Sequence, residues 1–367
     1  MTRYLRKKHE GRLLRAAVVA LVIVLATLGV ACDNFSVSIN TEPPPRDLII
    51  MSHDSFNISG DVITEFEEEH DATVTILKSG DAGEALTKAI LAKDAPTADI
   101  LYGIDNTFLG RALDEEIFIE YQSPVLDKVP SEYQLDSSNH VMPVDYGFVA
   151  LNYHIAWFDE QGIAPPENLE SLVDPRYRGL TVVQNPATSS PGLAFLLATV
   201  SAFGEDGDYT WQDYWADLHE NEVLVTDGWT DAYYTAFSLY EGDRPIVVSY
   251  TTSPAAEVFY SEGALTEPPT ANVLGDNSAF LQIEGIGILD GVRNEELAQQ
   301  FVDFVMEKRF QEDFPTLMWV YPVNEEAALP DVFEFAPVPD EPALLSPGTI
   351  ADNRERWIDE WNALIRS

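Results

Sequence analysis

Cysteine occurs once in 367 residues, at Cys32. A single thiol excludes a disulfide scaffold and any CxxC metal or redox site. Basic side chains are also scarce, 21 Lys and Arg against 62 Asp and Glu, a formal net charge of -41. Phosphate backbones repel so acidic a chain, which excludes a duplex nucleic-acid binder. Enzyme signatures are missing too: there is no GxSxG, no HExxH and no P-loop. His53, His70, His140, His154 and His219 show no metal-ligand spacing, and Glu205-Asp206-Gly207-Asp208 lacks the twelve-residue pattern of a calcium loop. What is present is ordinary globular content, 46% hydrophobic and 11% aromatic, enough to bury sizeable cores and too much for a disordered acidic tail. The length predicts about two domains or lobes.

The charge is unevenly spread. Residues 1–32 carry six basic groups (Arg3, Arg6, Lys7, Lys8, Arg12, Arg15) and one acid, Glu10. The remainder has 15 basic against 61 acidic side chains, a net of -46. Ala16 to Ala31 are sixteen residues without a charge, short of the ~20 a membrane-spanning helix needs. A basic start, an apolar core and small residues before Cys32 read as a secretory signal over 1–32, the alternative being an uncleaved N-terminal anchor helix. The cysteine stands where bacterial lipoprotein signals place theirs, with Gly29 three residues before it, so Cys32 is the expected lipid attachment point. Residues 33–46, ending Glu42-Pro43-Pro44-Pro45-Arg46, read as an extended tether. The folded part is expected from Asp47, outside the cytoplasm, at the outer face of the cell membrane (the periplasm if the envelope has two membranes).

From Asp47 onward strands alternate with helices. Leu48–Met51, Thr73–Leu77 and Asp99–Tyr102 are strand-like, with helices expected over Val62–Glu69 and Gly83–Ala92. Leu180–Val183, Val223–Val225 and Ile246–Ser249 repeat the pattern, the first followed by an apolar helix to about Phe203. This order predicts an α/β fold of two lobes, each a mixed, mostly parallel sheet flanked by helices. The long strand-like segments Val141–His154 and Phe280–Leu289 are placed to cross between the lobes, which makes a hinged clamp. The expected lobes are 47–146 plus about 280–325, and about 147–279 plus 326–367. Ligands of such sheets sit at the carboxyl ends of the strands, so loops 52–57, 79–83 and 103–107 are expected on one binding face.

Two loops place hydroxyls before a proline at a helix start: Thr188-Ser189-Ser190-Pro191-Gly192 and Tyr250-Thr251-Thr252-Ser253-Pro254. Helix N-termini of this kind offer backbone N–H groups to a polar or anionic ligand, or the hydroxyls simply cap the helix. Asp227-Gly228-Trp229 presents an aromatic at a strand end, either to a ligand or to a core. These stretches occur in order with His53-Asp54-Ser55-Phe56, Gly103-Ile104-Asp105-Asn106, Pro143-Val144-Asp145-Tyr146-Gly147, Met318-Trp319-Val320-Tyr321-Pro322-Val323 and Arg354-Glu355-Arg356-Trp357. Taken together, from about Leu48 to the C-terminus, they resemble the thiamine-binding proteins of bacterial ABC importers, periplasmic-binding-protein-like clamps of type II.

The resemblance implies a monomeric receptor, not an enzyme, that needs no cofactor or metal and works with permease subunits. It implies a binding set of Asp81 with Ala82, Ser189 and Ser190, Trp229, the turn Tyr250, Thr251, Thr252 and Ser253, and Trp319. Thiamine or a phosphate ester of it is the implied ligand: aromatic faces suit its cationic thiazolium, a carboxylate such as Asp81 supplies charge, and hydroxyls suit its alcohol or phosphate. His53, Asp105 and Tyr146 are further candidates at the cleft. His53 stands where the family commonly has Tyr, and Ala256 where another aromatic is common. The rival ligands are ferric iron, for which Tyr233-Tyr234 would be the marker, and a polyamine. A thiamine-related enzyme on the same fold is the rival from another class; a thiamine-degrading one would need a cysteine nucleophile in the cleft, and Cys32 lies at the anchor.

Overall fold

The structure is a computed structural model that describes residues 46–365. The expected signal segment, Cys32 and all of the tether except Arg46 lie outside the described residues. Among the described residues no helix is long and apolar enough to cross a membrane.

Ten strands share one curled mixed sheet: β1 (Asp47–Ser52), β2 (Thr73–Lys78), β3 (Ile100–Asp105), β4 (Met142–His154), β5 (Thr181–Gln184), β6 (Leu224–Thr226), β7 (Ile246–Tyr250), β8 (Thr270–Val273), β9 (Ala279–Ile288) and β10 (Tyr321–Pro322). Their order is β2-β1-β3-β9-β4-β7-β5-β6, with β8 and β10 also paired to β4. One end is parallel, β2-β1-β3, and so is the other, β7-β5-β6. The two expected crossing segments are β4 and β9, antiparallel to each other from Met142↔Ile286 to Ala150↔Ala279. They join the two parallel ends in the middle of the sheet, which gives the two-lobed α/β architecture.

Helices cover both faces: α1 (Gly60–His70), α2 (Ala82–Leu91), α3 (Leu109–Asp114), α4 (Ile155–Gln161), α5 (Ser190–Phe203), α6 (Trp211–Glu220), α7 (Ser253–Tyr260), α8 (Glu295–Met306) and α9 (Pro347–Ile365). Apolar spacing explains their seating. In α1, Val62 and Phe66 are four apart on one stripe, and Phe66 meets Phe301 of α8 edge-on at 5.0 Å. Burying a side chain like Phe66 contributes about 1.5–3 kcal/mol. α5 is apolar all round, buried from Ser190 to Val200, as a helix enclosed between sheet and helices must be. α6 begins with a capping box in which Thr210 and Asp213 bond each other's backbone. α9 packs against both α6 and α3: Trp361 meets Trp215 edge-on at 5.5 Å, and Ala351 lies against Gly110.

Candidate functional site

β2 and β6 are the two ends of the sheet order, yet the loops leaving them meet. Asp81, in the loop from β2 to α2, accepts a hydrogen bond through Oδ2 from the backbone N–H of Trp229, just after β6, at 3.2 Å. Its other oxygen accepts from Ala82 N–H at 2.8 Å at the start of α2. Curling of the sheet thus brings together loops from the carboxyl ends of strands at both ends, where open α/β sheets hold their ligands. Between them lies a cleft of about 810 Å³, within the size range of small-molecule sites.

Of the residues singled out in the sequence, Asp81, Ala82, Ser190, Trp229, Tyr250, Thr252, Ser253 and Trp319 line this cleft. Ser189 and Thr251 do not; both are fully buried behind its wall. His53 lines it as well. Asp105 is buried beneath it, and Tyr146 is outside it, its ring stacked between those of Tyr133 at 4.3 Å and Tyr321 at 5.2 Å.

The hydroxyls of the two helix starts do not cap their helices. Ser189 makes no side-chain cap bond to α5, nor Thr252 to α7. Thr252 Oγ1 donates to the carbonyl of Trp319, and Ser253 Oγ pairs with Ser249 Oγ at 2.8 Å. The hydroxyls of Ser189 and Ser190 make no hydrogen bond although buried. Burial raises the Asp81 pKa above the ordinary carboxylate range; the Ser189 hydroxyl eases that charge from nearby without aligning for a bond, and the Ala82 N–H holds it down further.

Aromatic rings form one wall. Trp229 stacks on Tyr233 (centroids 4.9 Å apart, planes at 16°) and its indole N–H donates to Ser249 Oγ at 2.9 Å. Tyr233 O–H donates to Glu257 at 2.5 Å, and Thr270 Oγ1 donates to the other oxygen at 2.5 Å. Burial pushes the Glu257 pKa up to about 7 despite those two donors. On the far side Trp319, with a φ of 58°, stacks on Phe333 and donates its indole N–H to the Tyr260 hydroxyl oxygen at 3.2 Å.

The floor is acidic. Glu284 of β9 lies in register with Asp105 of β3 on one side and Asp145 of β4 on the other. Tyr102 O–H donates to Asp145 at 2.5 Å and reaches Glu284 at 3.3 Å; Gln282 donates to Glu284 at 3.1 Å and accepts from Tyr250 O–H at 3.1 Å. Burial pushes Asp105 up to about 6 and Asp145 well above the carboxylate range, the Glu284 charge adding to both. His53 faces Glu284 at 3.6 Å. Burial works against the imidazolium, but Glu284, with Asp81 and Asp105 further off, outweighs it and raises the His53 pKa.

Several lining residues escaped the sequence reading. Glu257 and Tyr260 follow Ser253 at i+4 and i+7 on α7, a helical-face spacing that could have found them. Glu284 alternates with Gln282 on β9, but no local pattern marks a strand residue as lining a cleft. Tyr233 and Tyr234 split as one buried and one half-exposed ring, and the Tyr233 hydroxyl is committed to Glu257 rather than free for iron.

A cleft at strand ends, closed by loops from both ends of the sheet and lined with rings, hydroxyls and carboxylates, is the build of a receptor for a small solute. Residues 95–340 match the family of bacterial extracellular solute-binding proteins, and the chain belongs to that family. It is 32% identical over 326 residues to the thiamine-binding periplasmic protein of Brucella suis biovar 1, covering 86% of this chain and 91% of that one. With the thiamine-binding periplasmic protein of Escherichia coli K12 the identity is 30% over 326 residues, covering 87% and 93%. The solved structure of a periplasmic thiamin binding protein superposes with a TM-score of 0.75 at 27% identity, covering 87% of this chain and 96% of that one.

Proposed function

We propose that this protein captures thiamine, or one of its phosphate esters, outside the cytoplasm and delivers it to the permease subunits of an ABC importer. It is a monomeric receptor and not an enzyme, and it is held at the outer face of the membrane by a lipid on Cys32. The two lobes, 47–146 with about 280–325 and about 147–279 with 326–367, hinge where β4 and β9 cross. Closure is driven by a ligand that touches both lobes at once, because only differential affinity shifts such an equilibrium.

The observation that carries this reading is the convergence of Asp81, Ser190, Trp229, Tyr250, Thr252, Ser253 and Trp319 on one cleft, in a chain whose relatives of 30–32% identity are thiamine-binding proteins. The chemistry matches the ligand. Trp229 and Trp319 offer ring faces to a cationic thiazolium and a flat aminopyrimidine. Asp81 supplies negative charge, and the Ser190 hydroxyl, beside Asp105 at the cleft wall, offers a donor or acceptor for the alcohol or a phosphate oxygen.

Isothermal titration of the purified protein with thiamine and its mono- and diphosphate tests the reading: saturable one-to-one binding is expected, and its absence for all three ligands refutes the assignment. Asp81→Asn removes the charge and keeps one accepting oxygen, so only one of the Ala82 and Trp229 N–H groups retains its partner. It is expected to weaken thiamine about tenfold, on the order of 1.4 kcal/mol; an unchanged dissociation constant takes Asp81 out of the site.

A further inference from the structure

The three carboxyl groups abreast on β3, β9 and β4 are a costly arrangement, because like charges directly opposite on neighbouring strands repel. Of the three, Glu284 alone lines the cleft. Its oxygens are held by neutral donors, the Gln282 amide and the shared Tyr102 hydroxyl, and among the described residues no Lys or Arg pairs with it. Lys78, the other basic side chain on the lining, is exposed to solvent.

Among the described residues, His53 is the basic group beside Glu284. It is 7% exposed, and its Nε2 has no hydrogen-bond partner. At 3.6 Å from Glu284 it is within ion-pair reach but too far for a hydrogen bond. The ring lies against bare backbone at Gly103, where φ is 90° and the β3–β9 register shifts; a Cβ there would come within 2.5 Å of the imidazole. His53 is thereby fixed in place on the cleft lining, its Nε2 buried beside Glu284 and not hydrogen-bonded.

We propose that Glu284 is the counter-ion of the ligand's permanent positive charge, and that His53 carries the stand-in charge in the empty cleft and releases its proton as the ligand docks. The proposal rests on the thiamine reading and deepens it, for it makes a cationic ring a requirement of the site. The raised His53 pKa in the empty cleft is consistent with it. The groups that face His53 are Glu284 from β9, Tyr102 and Asp105 from β3, Asp81 from the β2–α2 loop, Asp145 from β4 behind Tyr102, Tyr250 from β7, and Asp54 on its own loop. A cation arriving at Glu284 favours the neutral imidazole, so low pH opposes binding. Affinity rises by up to about tenfold per pH unit below the empty-cleft pKa of His53 and levels above it. Asp105, with its pKa raised to about 6, adds release of the same sign.

The test is calorimetry between pH 6 and 8 in two buffers of different ionisation enthalpy. The ligands are thiamine and a neutral analogue with thiophene in place of the thiazolium. Wild type is expected to release protons with thiamine and none with the analogue. H53Q is expected to lose most of that release, and D105N to lose only the smaller part that Asp105 adds. E284Q is expected to weaken thiamine about tenfold and leave the analogue unaffected, which a mere folding defect would not do. No proton release by wild type, equal weakening of both ligands in E284Q, or undiminished release in H53Q each overturns the proposal and leaves the thiamine reading standing. No saturable binding of thiamine by wild type overturns both.

Discussion

Trp229→Ala is expected to weaken thiamine binding by about 30-fold to 100-fold, or about 2–3 kcal/mol, measured as the dissociation constant by calorimetry. The size follows from how firmly the ring is held before any ligand arrives. Tyr233 backs it in a near-parallel stack, Ser249 takes its indole N–H, and Asp81 takes its backbone N–H. Such a ring gives up little freedom on binding, so most of its contact energy reaches the affinity. The substitution leaves the Asp81 bond intact because that bond uses the main chain. Trp229→Phe keeps a ring but loses the tie to Ser249, and is expected to recover only part of the affinity. An Ala variant that binds like the parent removes the aromatic wall from the site.

The second large effect is on stability. Asp99 is buried at the start of β3 and accepts from Ile49 N–H at 2.8 Å, from Arg293 N–H at 3.2 Å, and from the Arg293 guanidinium at 3.1 and 2.7 Å. One carboxylate so joins β1, β3 and the turn before α8. Asp99→Ala strands the Ile49 N–H and leaves Arg293 with Asp47 alone, at an expected cost of about 3 kcal/mol in urea unfolding at neutral pH. Because Arg293 is partly exposed and can rehydrate, the figure sits at the low end for a broken buried pair.

The pH dependence has two opposing parts. Burial pulls the Asp99 pKa up, but Arg293 and the backbone donors outweigh it and hold it below the ordinary value. Its stabilisation is therefore present above the unfolded pKa of about 3.9 and is lost as pH falls through the lower folded value. Asp105 and Glu257 act the other way. With folded pKa values raised to about 6 and about 7, they bind protons more readily in the native state, so stability declines as pH rises from about 4 through that range. His53, raised as well, loses its contribution as pH climbs through its folded pKa. The empty protein is expected to be most resistant to urea in mild acid; a midpoint that climbs steadily from pH 5 to pH 8 contradicts this.

Much of the fold was legible because it is local. Each strand expected from a run of apolar or β-branched residues is present, from Leu48–Met51 in β1 to Ile246–Ser249 in β7, and both crossing segments are strands. Period-two and period-3.6 patterns report which face of an element meets a core, and they need only a few neighbouring residues to do so. Of the strand-end loops expected from the βα order, 52–57 and 79–83 line the cleft, whereas Gly103 to Asp105 belong to β3 and none of 103–107 lines it. The hydroxyl-proline starts were visible too, but what their hydroxyls do was not. A cap is a contact within the helix, whereas Thr252 meets Trp319 and Ser189 points toward Asp81, far off in the chain.

The sequence by itself determined most of the strands, their order and the end of the sheet on which a ligand would sit, because these follow from periodicity and from the handed βα connection; β8 and β10 were not among them. It also determined the charge asymmetry and the placing of the lone Cys32. Only the tertiary structure decided which side chains face the cleft. The curl that brings Asp81 to Trp229, the register that sets Glu284 between Asp105 and Asp145, and the turn of α7 that adds Glu257 and Tyr260 are all contacts between distant segments. No local pattern encodes them, since each depends on how the strands at opposite ends of the sheet come together around β4 and β9.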